Sequence, residues 1–291
     1  MKVVLLGPNG QLGTDIRRAY ESSGVNGQVV PIGRDRLDVT DREALRSVLG
    51  EAEFDVLINC TSYHKTDDAE ANATMAFAVN AHAVQEMARI CSQKDAHFIH
   101  ISTDYVFGGD VGRAEPLVET DSTAPVNVYG AAKAMGEVLA RLACERLTTL
   151  RVASLFGVAG ASGKGGNFVE TIVRLGRERG ELKVVNDQTM SPASTADVAW
   201  MIQRLLYNGA ECGVYHAVNT GKATWYEYAC EIVQLAHVDA TITPCSSAEY
   251  PTLAMRPRFS ALDNRKLEAR IGLIPDWRDA LGRYLKAKGH G

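Results

Sequence analysis

The chain has 291 residues, a length that suits one large α/β domain or one domain with a smaller annex. Hydrophobic residues make up 46% of it and charged residues 23%, which is ordinary globular usage and allows a sizeable core. The formal net charge of −4 shows no basic surplus, so nucleic acid is not an expected partner.

Targeting and membrane segments are not evident in the sequence. The apolar run at residues 3–6 is too short for a signal peptide, and no stretch reaches the ~18 apolar residues of a membrane span. The six cysteines include no Cys-x-x-Cys pair, and Cys60, Cys91 and Cys144 stand in apolar or helical contexts typical of buried thiols. We therefore expect a cytosolic protein without a membrane partner or disulfides.

The first half of the chain alternates short apolar runs with amphipathic stretches, which is typical of βαβ units and a parallel sheet. Helices are predicted at 11–23, from a capping box of Thr40 and Glu43 onward, and at 68–93. The predicted strands are 2–6, 28–32, 55–59, 97–101 and 149–152.

The second half has a looser rhythm. Residues 157–166 are rich in glycine, alanine and serine and are predicted to form a mobile loop. The elements predicted after it are a helix at 168–179, a strand at 182–185, and helices at 195–207, from Trp225 and at 276–286.

These elements predict an α/β protein with a doubly wound, Rossmann-type parallel sheet and a smaller C-terminal α/β domain for a substrate. The dinucleotide-binding domain is predicted to comprise 1–155 and about 182–220. The substrate domain is predicted to comprise about 156–181 and 221–291.

A glycine-rich turn joins the first predicted strand to the first helix. Its glycines, Gly7, Gly10 and Gly13, have the spacing that a tight turn, a close approach to a pyrophosphate and helix–strand packing require. The helix N-terminus would add free N–H groups and a positive dipole end for the phosphates. The predicted dinucleotide contacts from this turn are Gly7, Asn9, Gly10, Gln11, Leu12 and Gly13.

The end of the second strand bears on which dinucleotide binds. NAD-selective proteins carry an acidic residue there, whereas this chain has Arg34, which suits a 2′-phosphate. Asp35 follows directly and keeps NAD(H) open. We expect NADP(H) to be the favoured cofactor.

A tyrosine and a lysine four residues apart, Tyr129 and Lys133, share one face of a predicted helix. A tyrosine can give a proton to a carbonyl oxygen, and a neighbouring ammonium is expected to lower its pKa. Residues 102–108 follow the fourth strand and would bring hydroxyl groups to the same edge of the sheet. Tyr284 and Lys288 repeat the spacing, but no motif around them resembles a site, and we interpret this pair as a chance match.

These motifs resemble, over the whole length, the extended short-chain dehydrogenase/reductases, most closely the dTDP-4-dehydrorhamnose reductase family. The resemblance rests on Gly7-x-x-Gly10-x-x-Gly13, Leu37-Asp38-Val39, the 102–107 run, Asn127-Val128-Tyr129-Gly130, Asn167-Phe168, Asn186-Asp187-Gln188, Tyr215-His216, Trp225, Arg256-Pro257, Ser260 and Leu262-Asp263.

The resemblance implies NAD(P)H-dependent reduction of the C4 ketone of a nucleotide-activated deoxysugar, dTDP-4-dehydro-L-rhamnose to dTDP-L-rhamnose, in the synthesis of a cell-wall polysaccharide sugar. The implied catalytic residues are Tyr129, Lys133, Thr103 and Asp104. The implied cofactor contacts beyond the glycine turn are Arg34, Asp38, Val39, Cys60, Thr61, Ser62, Tyr63, Asn80, Ser102 and Lys133. The implied substrate contacts are Thr103, Asp104, Tyr105, Tyr129, Arg151, Ser154, Asn167 and Arg256, the arginines for a diphosphate.

Departures from the family pattern leave alternatives open. Ser154 stands where the family has a pocket tryptophan, so the exact sugar is open. A dehydratase or epimerase is a second reading, although Tyr105 follows Asp104 where a dehydratase has a second carboxylate. A third is a non-catalytic subunit like the regulatory subunit of methionine adenosyltransferase. No residue spacing indicates a metal site, and the choice between monomer and homodimer stays open.

Overall fold

The computed structural model describes residues 1–22, 28–160, 166–209 and 211–290. In chain order, the elements of the first half are β1 (Lys2–Leu6), α1 (Gln11–Ser22), β2 (Gln28–Ile32), α2 (Arg42–Glu51), β3 (Val56–Asn59), α3 (Thr66–Ala71), α4 (Ala73–Phe77), a π-helical turn (Ala78–His82), α5 (Ala83–Gln93), β4 (His97–Thr103), a 3₁₀ turn (Asp104–Val106), α6 (Val128–Ala143) and β5 (Leu147–Val152). Those of the second half are β6 (Leu155–Phe156), α7 (Phe168–Arg179), β7 (Glu181–Val185), β8 (Thr189–Met190), β9 (Ala193–Ser194), α8 (Thr195–Tyr207), β10 (Gly213–His216), β11 (Ala223–Thr224), α9 (Trp225–Leu235), β12 (Thr241–Cys245), a second 3₁₀ turn (Ser247–Glu249), α10 (Arg265–Ile271) and α11 (Trp277–Lys288).

A six-stranded sheet in the order β10-β5-β4-β3-β1-β2 organises the first domain. Every neighbouring pair in it is parallel. Helices cover both faces, so central strands such as β1 are buried on both sides and are continuous apolar runs. The predicted doubly wound parallel sheet is confirmed.

Two core clusters lie on opposite faces of this sheet. Leu5, Ile16 and Ile202 belong to the cluster under α1 and α8, whereas Leu45 and Met87 belong to the cluster under α2 and α5. Because successive side chains of a strand alternate between faces, each strand feeds both clusters. Because the strands are parallel, their carboxyl ends share one edge of the sheet, and the site lies at that edge.

The predicted helical region at 68–93 is helical and is divided into shorter segments. The α3 helix ends at Asn72, whose backbone N–H bonds to carbonyl groups one turn back, and a π-helical turn interrupts the rest. The predicted capping box at Thr40 is wrong. Asp41 caps α2, accepting hydrogen bonds from the backbone N–H groups of Glu43 and Ala44 at 3.0 Å each, while the Thr40 hydroxyl donates to Asp38.

The second domain has its own core around Phe156, Val173, Tyr228 and Trp277. In it β7 pairs in parallel with β12, and β8 pairs with β11. In this core lie Leu182 and Val184 of β7, whereas Leu267 of α10 belongs to the core cluster under α1 and α8. Local periodicity did not reveal these partners because they are distant in sequence.

Some predictions fall on parts of the chain that are not described. Residues 161–165 of the predicted mobile loop and Ser23 at the predicted end of the first helix lie outside the described residues. Among the helices of the described ranges, none combines the length and the apolar character needed to cross a membrane.

Candidate active site

Two adjoining cavities open at the carboxyl ends of the sheet strands. One, of about 380 Å³, lies over the glycine-rich turn, and the other, of about 420 Å³, extends toward the second domain. Tyr129 lines both, together with Gln11 and His64. The predicted nucleotide and substrate regions therefore meet at the tyrosine predicted to act on the substrate.

The glycine-rich turn forms the floor of the smaller cavity. Gly7 has a φ of +73°, which glycine adopts without strain. A Cβ on Gly13 would collide with the Gly7 backbone, so this glycine is needed for packing. A Cβ on Gly10 would meet only the Gly7 carbonyl oxygen, at 3.6 Å. Folding alone does not require glycine at position 10, but a ligand lying on the turn does.

The loop after β3 forms one wall of the smaller cavity, and the side chains of Asn59 and Asn80 fix its backbone by hydrogen bonds. The Asn59 side chain accepts hydrogen bonds from the Thr61 backbone N–H (3.0 Å) and hydroxyl (2.6 Å). The buried Asn80 amide binds both the N–H and the carbonyl of Tyr63, at 2.9 and 3.1 Å. Asn80, predicted as a cofactor contact, thus positions the loop instead of lining the cavity. Cys60, Thr61 and Ser62 do line it.

Arg34 lies at the mouth of the smaller cavity and on a neighbouring cavity of about 270 Å³. Its side chain is 90% exposed and forms an ion pair with Asp38 at 3.5 Å. Asp38, Val39 and Tyr63 line the same neighbouring cavity. The sequence predicted these four residues as cofactor contacts, and the structure brings them together around this neighbouring cavity.

Tyr129 lies in the first turn of α6 and faces Thr103 at the end of β4. Burial raises the pKa of Tyr129, while hydrogen bonds with the Thr103 and Ser62 hydroxyls oppose the rise. The expectation that Lys133 lowers this pKa is therefore wrong. A phenol with a raised pKa holds its proton at neutral pH, which is the form that a proton donor needs.

Lys133 is 2% exposed and lies one turn farther along α6. Its Nζ donates to the carbonyl oxygen of Ile101 at 2.5 Å. Burial lowers its pKa to about 8, and the nearby Glu137 carboxylate limits the fall. The side chain also lines the smaller cavity.

Asp104 is 3% exposed and lines the larger cavity. Burial raises its pKa to about 6, although hydroxyl groups of Ser260 and Thr103 donate to it. The Ser260 hydroxyl lies 2.6 Å from Oδ2, and the Thr103 hydroxyl lies 3.1 Å from Oδ1. Thr103 thus contacts both the Asp104 carboxylate and the Tyr129 hydroxyl.

Arg151, predicted to bind a substrate diphosphate, is not at either cavity of the site. It is 4% exposed and forms a bidentate ion pair with Glu137, with a shortest distance of 2.8 Å. Ser102, predicted as a cofactor contact, lines the smaller cavity, but its hydroxyl donates to Glu137 at 2.5 Å. Sequence pattern did not show that β5 turns Arg151 toward α6.

Asn167 and Arg256, both predicted substrate contacts, have polar partners within the protein. The Asn167 amide caps α7 by accepting from the Glu170 N–H at 3.1 Å, and it donates to Tyr284 and to a backbone carbonyl. Arg256 forms an ion pair with Asp67 at 2.7 Å and lines a separate cavity. Asn167 borders the larger cavity, but its side-chain polar groups are engaged within the protein.

The sequence reasoning missed an aromatic wall on the larger cavity. Phe168 stacks on Tyr228 with ring centroids 5.5 Å apart and lies 4.6 Å from Trp225. Ser154 lines the same cavity with a φ of +41°, unusual for a residue other than glycine. Of these residues only Ser154 was a predicted contact; the spacing of Trp225 and Tyr228 on a helix was the available signal.

The parallel sheet, the glycine turn and the tyrosine–lysine pair beside a strand-end threonine define an extended short-chain dehydrogenase/reductase. The family model described as the RmlD substrate binding domain matches residues 1–289, and the chain belongs to that family. The predicted resemblance is confirmed.

Named relatives agree over nearly the full length. The dTDP-4-dehydrorhamnose reductase of Burkholderia thailandensis is 36% identical over 299 residues, covering 97% of each chain. The structure of a Clostridium acetobutylicum dTDP-4-dehydrorhamnose reductase superposes with a TM-score of 0.92 at 33% identity, covering 99% of this chain and 100% of that one. The Bacillus anthracis reductase, solved in complex with NADP, has a TM-score of 0.89 at 33% identity, covering 98% and 99%.

Proposed function

We propose that this chain uses NADPH to reduce the C4 ketone of a nucleotide-activated 6-deoxysugar, converting dTDP-4-dehydro-L-rhamnose to dTDP-L-rhamnose. The observation that carries the proposal is the position of the Tyr129 hydroxyl, beside Thr103 and at the junction of the two cavities. Full-length relatives with this activity in their names support the choice of substrate.

The residues of the smaller cavity fit a dinucleotide. The space above Gly10 and the N-terminus of α1 suit a pyrophosphate, since the first N–H groups of a helix have no partners within it. Arg34 at the far end suits a 2′-phosphate, and the Lys133 ammonium suits the hydroxyls of the nicotinamide ribose. NADPH, when bound, supplies the hydride for the ketone carbon.

The chain's own residues then complete the reduction at oxygen. The ketone oxygen must receive a proton as the carbonyl becomes an alcohol, and Tyr129 holds one in a position bordering both cavities. The Thr103 hydroxyl can donate a hydrogen bond to the ketone oxygen once it no longer donates to Asp104. Such a positioned acid typically accelerates a reaction ~10²–10⁴-fold.

The larger cavity supports a nucleotide sugar as the partner. The half-buried rings of Phe168 and Trp225 line it and suit packing against a sugar or base, while the buried Tyr228 ring stacks on Phe168 and supports it. Ser154 takes less space than the family's tryptophan, so we expect a less selective pocket.

The experiment is NADPH oxidation, followed by absorbance, with a panel of 4-keto-6-deoxy sugars on dTDP, GDP and UDP. We expect turnover with a ketosugar and the highest kcat/KM for dTDP-4-dehydro-L-rhamnose. A higher value for another sugar would correct the substrate, and absence of NADPH oxidation with every member would refute the reductase. A separate reaction contains dTDP-glucose, and its consumption without net NADPH oxidation would instead indicate a dehydratase.

A further inference from the structure

A buried polar network lies directly behind the site and links the strands and the helix that carry it. Glu137 on α6 accepts hydrogen bonds from Ser102 on β4 (2.5 Å) and from Arg151 on β5 (2.8 Å). Arg151 also lies over the Phe107 ring, 4.9 Å from its centroid, and 3.5 Å from Nε2 of His216. Glu137 and Arg151 are 9% and 4% exposed.

The network joins the immediate neighbours of the reacting groups. Ser102 precedes Thr103 in β4, and Glu137 lies one helical turn after Lys133 and two after Tyr129. Any change at Glu137 therefore acts on the distance between the strand end and the helix. We propose that Glu137, held by Arg151, is a positioning residue that fixes Lys133 and Tyr129 relative to Thr103; this inference rests on the proposed function.

The charge of Glu137 supports the same role. The titratable and charged groups around Lys133 among the described residues are Glu137 and the protonated Tyr129 on its own helix, Arg151 of β5 bound to Glu137, Cys60 after β3 and His100 in β4. Burial raises the pKa of Cys60 to about 12 and lowers that of His100 well below its usual value, so both are neutral at pH 7. Glu137 is thus the anion in this group that stabilises the Lys133 ammonium.

Stability by itself is a weak explanation for such a pair. A buried ion pair pays a large desolvation cost, and apolar replacements of both partners are often neutral or stabilising. Removing one partner alone leaves a buried charge uncompensated and endangers folding. The test therefore replaces both residues together.

The experiment compares two double variants with the wild-type full chain. Glu137→Leu/Arg151→Met removes the charges and the acceptor of Ser102, whereas Glu137→Gln/Arg151→Met removes the charges but keeps an acceptor. We expect both to fold, with kcat at least about tenfold lower in the first at little change in KM, and partly recovered in the second. In both, the alkaline fall of the kcat profile should begin at lower pH, because Lys133 loses its anion.

The matched control is Glu86→Gln, which removes another buried carboxylate, one that contacts Arg42 and Arg46 at 2.8 and 2.6 Å and lies outside both cavities. It should leave kcat and its pH profile unchanged. Wild-type kcat and pH profile in a folded Glu137→Leu/Arg151→Met variant would overturn the proposal.

A second readout separates this inference from the proposed function. NADPH dissociation constants are measured by fluorescence between pH 6 and pH 9 in the same variants. We expect the alkaline loss of NADPH affinity to begin at lower pH in both double variants but not in Glu86→Gln. If the wild type reduced no ketosugar, this shift would still support the role of Glu137, and coincident binding curves would overturn it.

Discussion

Among single residues of the site, burial has the largest effect on the pKa values. Burial raises the pKa of Tyr129 and of Asp104 and lowers that of Lys133, so at neutral pH the phenol keeps its proton while the lysine stays mostly charged. The sequence identified these residue types and their spacing, but it carried no information on how much solvent each would lose.

Asp104 should make stability depend on pH. Its pKa of about 6 in the folded chain lies above the value of an exposed aspartate, so the native state binds more protons between about pH 4 and pH 6. The buried Asp104 therefore contributes to the free energy of unfolding below about pH 4, and this contribution is lost as the pH rises through about 6. Relative to Asp104→Asn, the wild type should lose ~2–3 kcal/mol of unfolding free energy between pH 4 and pH 7. Urea denaturation at both pH values measures this; a constant difference would contradict it.

Arg34 should set the choice between the two dinucleotides. Since its side chain is exposed, Arg34→Ala should weaken NADPH by ~1.5 kcal/mol, the low end for a hydrogen bond to a charged group, and leave NADH nearly unchanged. Arg36→Ala is the matched control, because Arg36 is also exposed and lines neither cavity of the site. Isothermal titration with both cofactors decides; equal losses for NADPH and NADH would exclude a 2′-phosphate contact.

At the scale of elements, the β1–turn–α1 unit separates a glycine for folding from a glycine for binding. Gly10→Ala should fold normally but bind NADPH at least about tenfold more weakly, since its Cβ enters open space above the turn. Gly13→Ala should instead lower the melting temperature, because its Cβ would collide with the Gly7 backbone. Calorimetry and thermal melts of both variants give the comparison. Full NADPH affinity in Gly10→Ala would place the pyrophosphate elsewhere.

Elements with local signals were predictable, and those decided by distant partners were not. Strands such as β1 and β3 and the helix starting beside Tyr129 follow from apolar runs and spacing. The pairing of β7 with β12 and the inward turn of Arg151 toward Glu137 depend on segments far apart in the chain. Arginine suits a phosphate and a buried carboxylate equally well, so residue type did not separate the two.

For the whole molecule, contacts between distant parts of the chain lie at the site and away from it. The Ser260 hydroxyl reaches from the C-terminal part of the chain to Asp104 at 2.6 Å, and Arg283 on α11 binds Asp197 on α8 at 2.8 Å. The larger cavity is likewise lined by Thr103 from the first half of the chain and by Trp225 from the second half. The lining of the predicted site is therefore assembled from separate parts of the sequence.

The most direct test of the account compares wild type with Tyr129→Phe in NADPH oxidation driven by dTDP-4-dehydro-L-rhamnose. The variant keeps the ring but loses the proton, so we expect kcat to fall ~10²–10⁴-fold while the NADPH dissociation constant stays nearly the same. A Tyr129→Phe rate above about a tenth of the wild-type rate would contradict the assignment of Tyr129 as the proton donor.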